Sequence, residues 1–272
     1  MWELINYEFT ELRSFKKSLM TTIKHSEPFE VRSHEVDSTG TVSLPRIADY
    51  FQEAAGKNAR DLNFDISDLQ EKGTTWVLFR LHIRMDSFPE RWLDITVNTW
   101  PSSGDGVRAF RDYELVNSDG DRLGVGVSQW MVLNMKSRRP VRMPKEITEM
   151  GLDVDKHLLP VDKDSFDKLA DPDSVIISTH QAGKYDMDMN NHVNNVKYIE
   201  WMTGFLPEKI TKKKKCFEIN IQFHRETSLG SKVTVKSEPF DDESILHNII
   251  DQNNQLLAEG VSRWKALDSR IL

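Results

Sequence analysis

Three polar residues at alternate positions, Asp188, Asn190 and His192, are the set in this sequence best suited to chemistry. A carboxylate, an amide and an imidazole can together orient, polarise and deprotonate a water molecule. They precede a segment, 196–205, in which apolar residues recur at helical spacing. Free N–H groups at a helix start and the helix dipole favour a developing negative charge there. In an extended lead-in, their spacing would place the three side chains on one side of the chain.

Each of these residues also has a structural interpretation. Asp and Asn are common at helix caps and in turns, and a single His at a helix start is more often structural than catalytic. For the neighbouring Asn191 and Asn195 the structural interpretation is favoured. For Asn190 and His192 the interpretation shifts toward function, because the corresponding segment of the first half, 37–43, contains neither Asn nor His.

An internal repeat divides the chain into two halves. Gly-Val-Ser-Gln-Trp at 126–130 recurs as Gly-Val-Ser-Arg-Trp at 260–264, and each copy ends a hairpin with a turn-forming cluster. Runs with period-two alternation, 77–84 and 217–224, each follow a helix-like segment, and such alternation is typical of half-buried strands. A duplicated unit with one altered copy suggests that one copy performs chemistry and the other binds.

The helices of the two halves are predicted from their start signals. The first begins after Ser43, with a proline in its first turn, and the second begins near 191–192. Aligning Asp37 with Asp186 places Ser43 opposite His192 without a gap. Each half is therefore predicted to be one helix against an antiparallel sheet, which makes the fold class α+β.

The repeat also sets the predicted boundaries of the domains. They are an N-terminal extension at 1–26, a first domain at 27–147, a polar linker at 148–172 and a second domain at 173–272.

Composition limits the class of protein. With 272 residues, 38% of them apolar, the chain has material for two globular domains. A net charge of −7 argues against general nucleic-acid binding, which needs a basic surface. No segment has the apolar length of a membrane span, and acidic residues near the N-terminus disfavour a secretory signal, so a cytoplasmic location is predicted. The single cysteine, Cys216, excludes an internal disulfide framework, and no cofactor or metal is predicted.

The run Asn190–Ile199 resembles the signature of the acyl-ACP thioesterases, a family of plant plastidial enzymes and their bacterial relatives. The family pattern Asp-x-Asn-x-His is matched by Asp188, Asn190 and His192. Where the family has Arg-Arg-Glu-Cys downstream, this chain has His-Arg-Glu-Thr at 224–227. The resemblance implies two tandem hot-dog domains, each a long helix against a curved antiparallel sheet. It also makes Glu226 the fourth catalytic residue.

The chain departs from the family at Thr227, where the family has a cysteine that has been considered as a nucleophile. A Cys–His mechanism is therefore disfavoured, and Cys216 is interpreted as structural. Side chains alternate along a strand, so Glu226 is expected on the polar face of its strand and not on the apolar face. Glu226 can therefore meet His192 only through a bulge or at a strand end.

The resemblance implies hydrolysis of fatty acyl-ACP to free fatty acid and holo-ACP. In this reaction His192 and Glu226 activate water, Asn190 orients water or the carbonyl, and Asp188 holds the loop. A covalent route, in which Glu226 forms an anhydride, stays open. The alternatives are an acyl-CoA thioesterase, a hot-dog dehydratase and a non-catalytic acyl-binding module on the same fold. A monomer and a homodimer are both compatible with the sequence.

The family binds its acyl chain largely in the first domain. The residues predicted to form the walls of that slot are Ile47, Tyr50, Phe51, Phe79 and Leu81. The carrier protein is acidic, so its docking needs a local basic patch on this acidic chain. The residues predicted for docking are Arg138, Arg139 and Arg142, and the lysine run at 212–215 is a second candidate.

Overall fold

The computed structural model of the chain describes residues 23–102, 104–150, 156–161, 166–170 and 174–267. The predicted N-terminal extension, 1–26, lies outside the described residues as far as residue 22, and the predicted linker, 148–172, is described only in part. No helix in the described part of the chain combines the length and the hydrophobicity that a membrane span needs.

Among the residues that the structure describes, ten strands form one antiparallel sheet that runs through both halves of the chain. They are β1 His25–Glu30, β2 Thr74–Met85, β3 Asp94–Ser102, β4 Arg108–Asn117, β5 Arg122–Asn134, β6 Ile176–Gln181, β7 Lys214–Phe223, β8 Lys232–Pro239, β9 Ser244–Asp251 and β10 Leu256–Ala266. Their order in the sheet is β1-β3-β4-β5-β2-β7-β10-β9-β8-β6. In the central pair, β2 and β7, Arg80 lies opposite Gln222 and Arg84 opposite Glu218. Main-chain hydrogen bonds therefore join the two halves directly.

The first long helix, α1 (Leu44–Asp61), begins after Ser43 as predicted. Its first turn contains Pro45, whose missing N–H has no intrahelical partner to lose there. Buried apolar residues recur along α1 at helical spacing and pack into the common core: Leu44, Ile47, Ala48, Tyr50, Phe51, Ala54 and Ala55.

The second long helix, α4 (Asn195–Gly204), begins later than predicted. The side chain of Asn194 accepts the backbone N–H of Val196 at 3.0 Å, and this bond caps the helix. The predicted start near 191–192 is therefore wrong, because those residues belong to a separate loop. The short helices are α2 (Ile66–Glu71), α3 (Lys145–Met150) and α5 (Glu208–Thr211).

The repeated Gly-Val-Ser-x-Trp motif occupies equivalent places in β5 and β10. Gly126 pairs with Tyr113, and Gly260 pairs with His247. In each copy the tryptophan indole donates to the serine of the motif, at 2.7 and 2.8 Å. A Cβ at Gly126 would lie 2.6 Å from the ring of Phe51, so the close approach of α1 to the sheet requires glycine there.

A histidine buried in the second copy makes stability depend on pH. His247 is 1% exposed, and its ring nitrogens lie 2.8 Å from Ser237 Oγ and 2.7 Å from Ser262 Oγ. Burial lowers the pKa of His247 to about 3. The unfolded chain therefore protonates His247 more readily than the folded chain does. The stability that neutral, buried His247 allows is present above the pKa of His247 in the unfolded chain, and it is lost as the pH falls below that pKa.

We expect the contribution of His247 to lower the free energy of unfolding by about 1.4 kcal/mol when the pH falls from neutral to one unit below the usual histidine pKa. Urea unfolding at pH 7.5 and 5.5 measures the drop. His247→Gln should reduce it, whereas the same change at the exposed His34 should leave it in place. An unchanged drop in His247→Gln would assign the pH dependence to other groups.

Candidate active site

The predicted polar set lies in a tight loop before α4. A bridge between Met187 and Val193 closes this loop, and the N–H of Asp188 donates to the carbonyl of His192 at 2.7 Å. The Asp188 carboxylate accepts the backbone N–H groups of Asn190 and His192, at 2.8 and 3.1 Å. The predicted extended lead-in is therefore wrong, because hydrogen bonds within the loop fold it into a turn. Asn191 has a φ of +61°, a left-handed conformation that asparagine tolerates.

The first half has a loop of the same design before α1. The N–H of Asp37 donates to the carbonyl of Thr41 at 3.0 Å, and the Asp37 carboxylate accepts the N–H of Thr39 at 2.8 Å. A residue with positive φ occupies the same place in both loops, Gly40 at +76° and Asn191 at +61°. The carboxylate that builds the loop is thus common to both halves.

These two loops correct the alignment that the sequence suggested. Asp37 corresponds to Asp188 rather than to Asp186, and Thr41 corresponds to His192. The predicted alignment is wrong by two residues, because it matched the expected helix starts and α4 begins later than expected. An imidazole is therefore present in the second loop alone.

The segment after β7 brings a carboxylate to this imidazole. β7 ends at Phe223, and the carbonyl of Thr227 accepts the N–H of Val193 at 2.8 Å, which places the segment beside the loop. Glu226 Oε2 lies 3.4 Å from His192 Nε2. A strand end, one of the two predicted possibilities, thus brings them together. Both side chains are about one third exposed.

Two contacts in the site were not predicted from the sequence. Arg138, from the turn after β5, donates through Nη2 to Glu226 Oε2. Gln70, from α2, donates through Nε2 to Asn190 Oδ1 at 3.2 Å. The sequence contains no signal for Gln70, and it suggested a different partner for Arg138. Both residues come from the first half, so each half supplies polar groups to the site.

The position of the family's cysteine holds a buried hydroxyl. Thr227 is 3% exposed, and its Oγ1 accepts a hydrogen bond from the hydroxyl of Tyr198 at 2.7 Å. Burial raises the pKa of Tyr198 to about 12, and the negative charges of Glu226 and Asp188 contribute to the same direction. Cys216 is buried in the core, and burial raises the pKa of its thiol. Neither Thr227 nor Cys216 is placed as an accessible nucleophile.

A cavity of about 870 Å³ adjoins these residues, a volume typical of small-molecule sites. The loop, Tyr198 and the segment 223–226 line one part of it, and residues of the first half, among them residues of α1, α2, β2, β4 and β5, line another. The lining residues from the first half include Gln52, Ala55, Gly56, Ala59, Phe64, Trp76, Leu78, Ala109, Phe110, Arg111, Trp130 and Leu133. The cavity thus continues from the polar site into the first half.

The five residues predicted as acyl-chain walls do not line this cavity. Four of them belong to the buried core: Ile47, Tyr50, Phe51 and Leu81. The three that lie on α1 face the core because the helix turns a different stripe of residues toward the cavity. The fifth, Phe79, lies at a register shift between Leu78 and Arg80. The shift interrupts the predicted alternation, so Leu78 takes the core-facing place and also borders the cavity.

The basic residues predicted for docking have different surroundings. Arg139 and Arg142 are exposed, whereas Arg138 is paired with Glu226. From the lysine run, Lys215 is buried, and its Nζ lies 2.9 Å from Asp37 Oδ2 and 4.5 Å from the centre of the Phe88 ring. Lys215 therefore fills the loop of the first half and is removed from the docking candidates. Within the described ranges, no group of three or more His, Cys, Asp and Glu residues could hold a metal ion.

Comparison with known proteins adds a family assignment to this geometry. The chain matches the models of the acyl-ACP thioesterase N-terminal domain over residues 22–150 and of the C-terminal domain over residues 171–266. It is 24% identical to an oleoyl-acyl carrier protein thioesterase from Arabidopsis thaliana, over 94% of this chain and 80% of that protein. A second Arabidopsis thaliana enzyme with that description is 28% identical, over 75% of this chain and 60% of that protein.

The solved structures agree with the fold. The structure of an acyl-ACP thioesterase from Bacteroides thetaiotaomicron superposes with a TM-score of 0.81 at 21% identity, covering 91% of this chain and 99% of that one. The predicted fold class, α+β with two tandem hot-dog domains, is confirmed. The two family models, which together cover most of the chain, place it in the acyl-ACP thioesterase family.

Proposed function

We propose that this chain hydrolyses the thioester of fatty acyl-ACP to free fatty acid and holo-ACP, with water activated by His192 and Glu226. The observation that carries the proposal is the distance of 3.4 Å between His192 Nε2 and Glu226 Oε2 beside a cavity that reaches into the first half. General acid–base pairs are often loose in a free enzyme and tighten around the substrate.

The chemistry of a thioester sets what the site must do. A thiol has a reference pKa of about 8.5 and leaves readily, so attack on the carbonyl is the demanding step. In the proposed step a water oxygen bonds to the carbonyl carbon while its proton passes to the His192–Glu226 pair. Collapse of the tetrahedral intermediate breaks the C–S bond, and the thiolate takes up a proton.

The negative charge that develops on the carbonyl oxygen of the tetrahedral intermediate needs hydrogen-bond donors. The backbone N–H of Asn195 opens α4 and has no acceptor among the described residues. The Asn190 amide is a second donor, because Gln70 occupies its oxygen and leaves Nδ2 for the substrate or water. An oxyanion donor is worth about 3–4 kcal/mol in other hydrolases. Asp188 serves these groups indirectly, since it holds the loop.

Isotopically labelled water separates the direct route from a covalent one. In a single turnover, direct attack places the label in the fatty acid alone. An anhydride on Glu226 that water opens at the glutamyl carbonyl would instead leave label in that side chain, and that outcome would replace the direct-water mechanism.

The acyl chain is proposed to lie along the cavity-facing stripe of α1. A Cβ at Gly56 would meet no atom within 4 Å, so this position can accept a side chain that narrows the cavity. We expect Gly56→Leu to lower kcat/KM about tenfold for the longest accepted acyl chain relative to shorter ones. An acyl-ACP series of increasing length measures this shift.

The control is Gly56→Ala, which adds only a methyl group. It should keep the chain-length profile and raise the free energy of unfolding by about 1 kcal/mol, since alanine favours the helix interior. A profile that Gly56→Leu leaves unchanged would mean that the acyl chain does not run beside α1.

Carrier docking is proposed to use the exposed Arg139 and Arg142. Reversing both charges to Glu should raise KM for acyl-ACP roughly 3–10-fold, because exposed charge pairs are individually weak and the carrier is acidic. Acyl-pantetheine lacks the carrier, so its KM should not change. Equal effects on both substrates would point to disturbance of the site rather than to docking.

The first test of the function is thiol release from acyl-ACPs of several lengths beside the matching acyl-CoAs. Release that prefers ACP and depends on Glu226 supports the proposal. A preference for CoA would favour an acyl-CoA thioesterase, and no release would favour an acyl-binding module. The domain bounds, a cytoplasmic location and a monomer or homodimer stay predictions, and the Arabidopsis thaliana relatives are described as chloroplastic.

A further inference from the structure

We propose that Arg138 is a positioning residue, which holds Glu226 against His192 and supports hydrolysis through that carboxylate. The inference rests on the proposed function of Glu226 and adds a residue from the first half to it. It also replaces the prediction that Arg138 docks the carrier.

The contact itself is the first observation. Arg138 Nη2 donates to Glu226 Oε2, the same oxygen that lies 3.4 Å from His192 Nε2. The guanidinium is 44% exposed and the carboxylate 34%, so the pair lies at the mouth of the cavity. Because two groups converge on one oxygen, a change at Arg138 alters the orientation that Glu226 presents to the imidazole.

The backbone is the second observation. The Arg138 N–H donates to the carbonyl of Asn134 at 2.9 Å, and the Asn134 side chain accepts the N–H groups of Lys136 and Ser137. These bonds hold Arg138 at a φ of +54°, a region that a long side chain adopts at some cost. The turn therefore directs Arg138 toward a residue 88 positions away in sequence.

The chemistry of the guanidinium suits this task. Arginine keeps its charge at any working pH, and its planar group offers donors in a fixed geometry. Glu226 follows the end of β7 and belongs to no strand, so its side chain gains little orientation from the sheet. Arg138 supplies an anchor from the turn after β5, across the junction of the two halves.

A double-mutant cycle tests the proposal on the full chain, with kcat and KM measured on acyl-ACP. We expect Arg138→Gln to lower kcat about 10–100-fold, since small displacements of a catalytic group have effects of this size, while KM stays nearly constant. In a Glu226→Gln background the same change should have no further effect, because the residue through which it acts is gone. Arg138→Lys should restore part of the rate.

Two further variants separate positioning from folding of the turn. Arg138→Asn removes the guanidinium but suits the left-handed backbone, so it should lower kcat as Arg138→Gln does without lowering the melting temperature. Lys136→Gln removes an exposed charge from the same turn and should leave kcat unchanged.

Each other outcome contradicts the inference in its own way. Equal losses in both backgrounds would mean that Arg138 acts independently of Glu226. A rise in KM alone would restore the docking role. Full activity of Glu226→Gln would remove the proposed role of Glu226, and that of Arg138 with it.

Discussion

Glu226→Gln is expected to lower kcat for thioester hydrolysis by about 10²–10⁴-fold, the range that a positioned acid–base group contributes. The amide keeps the shape of the side chain but loses its negative charge, so it can no longer act with His192, 3.4 Å away, in activating water. Thiol release at saturating acyl-ACP gives kcat, and the melting temperature checks that the fold is kept.

The chain offers a matched control in a second His–Glu pair. Glu218 Oε1 lies 2.8 Å from His82 Nε2, between the central strands and away from the cavity lining. Glu218→Gln should therefore keep kcat, even where it lowers stability. Activity that survives Glu226→Gln but is lost in His192→Gln would assign the proton transfer to the imidazole alone.

Asp37→Asn is expected to lower the free energy of unfolding by about 3 kcal/mol, because it leaves a buried cation without its counter-charge. Lys215 is 8% exposed, and its Nζ lies 2.9 Å from the Asp37 carboxylate. Burial lowers the pKa of Lys215, while Asp37 acts in the opposite direction. Urea unfolding of the variant at neutral pH measures the loss.

Two comparisons make this prediction specific. Asp188→Asn changes the matching carboxylate of the other loop but removes no partner of a buried lysine. Compared with Asp37→Asn, it should therefore lower the free energy of unfolding less and the rate of hydrolysis more. The double change Asp37→Asn with Lys215→Met removes the cation as well and should recover most of the loss. If Asp37→Asn alone costs nothing, the ion pair with Lys215 does not contribute to stability.

The sequence predicted those features that depend on local patterns. The Gly-Val-Ser-x-Trp repeat indicated two similar halves, and Ser43 followed by proline marked the start of α1. The spacing of Asp188, Asn190 and His192 singled out the loop that lines the cavity. Each of these signals lies within a few neighbouring residues, where propensity and period are informative.

The features that the sequence missed depend on distant partners. Phe79 fits an alternating strand until the register of β2 against β5 shifts beside it. Lys215 is an ordinary basic residue in sequence and is buried only because the loop of the first half closes over it. The contacts of Gln70 with Asn190 and of Arg138 with Glu226 join residues 120 and 88 positions apart. No short pattern encodes such pairs.

The unbroken pairing of β2 with β7 has an evolutionary consequence. In an assembly of two identical chains, one mutation alters both ends of the shared sheet, so neither end can change its role alone. A single chain carries two copies that mutate separately, and selection can act on each of them. A lysine can then close one loop while a histidine is kept in its twin, which is a division of labour that a symmetric pair of subunits cannot inherit.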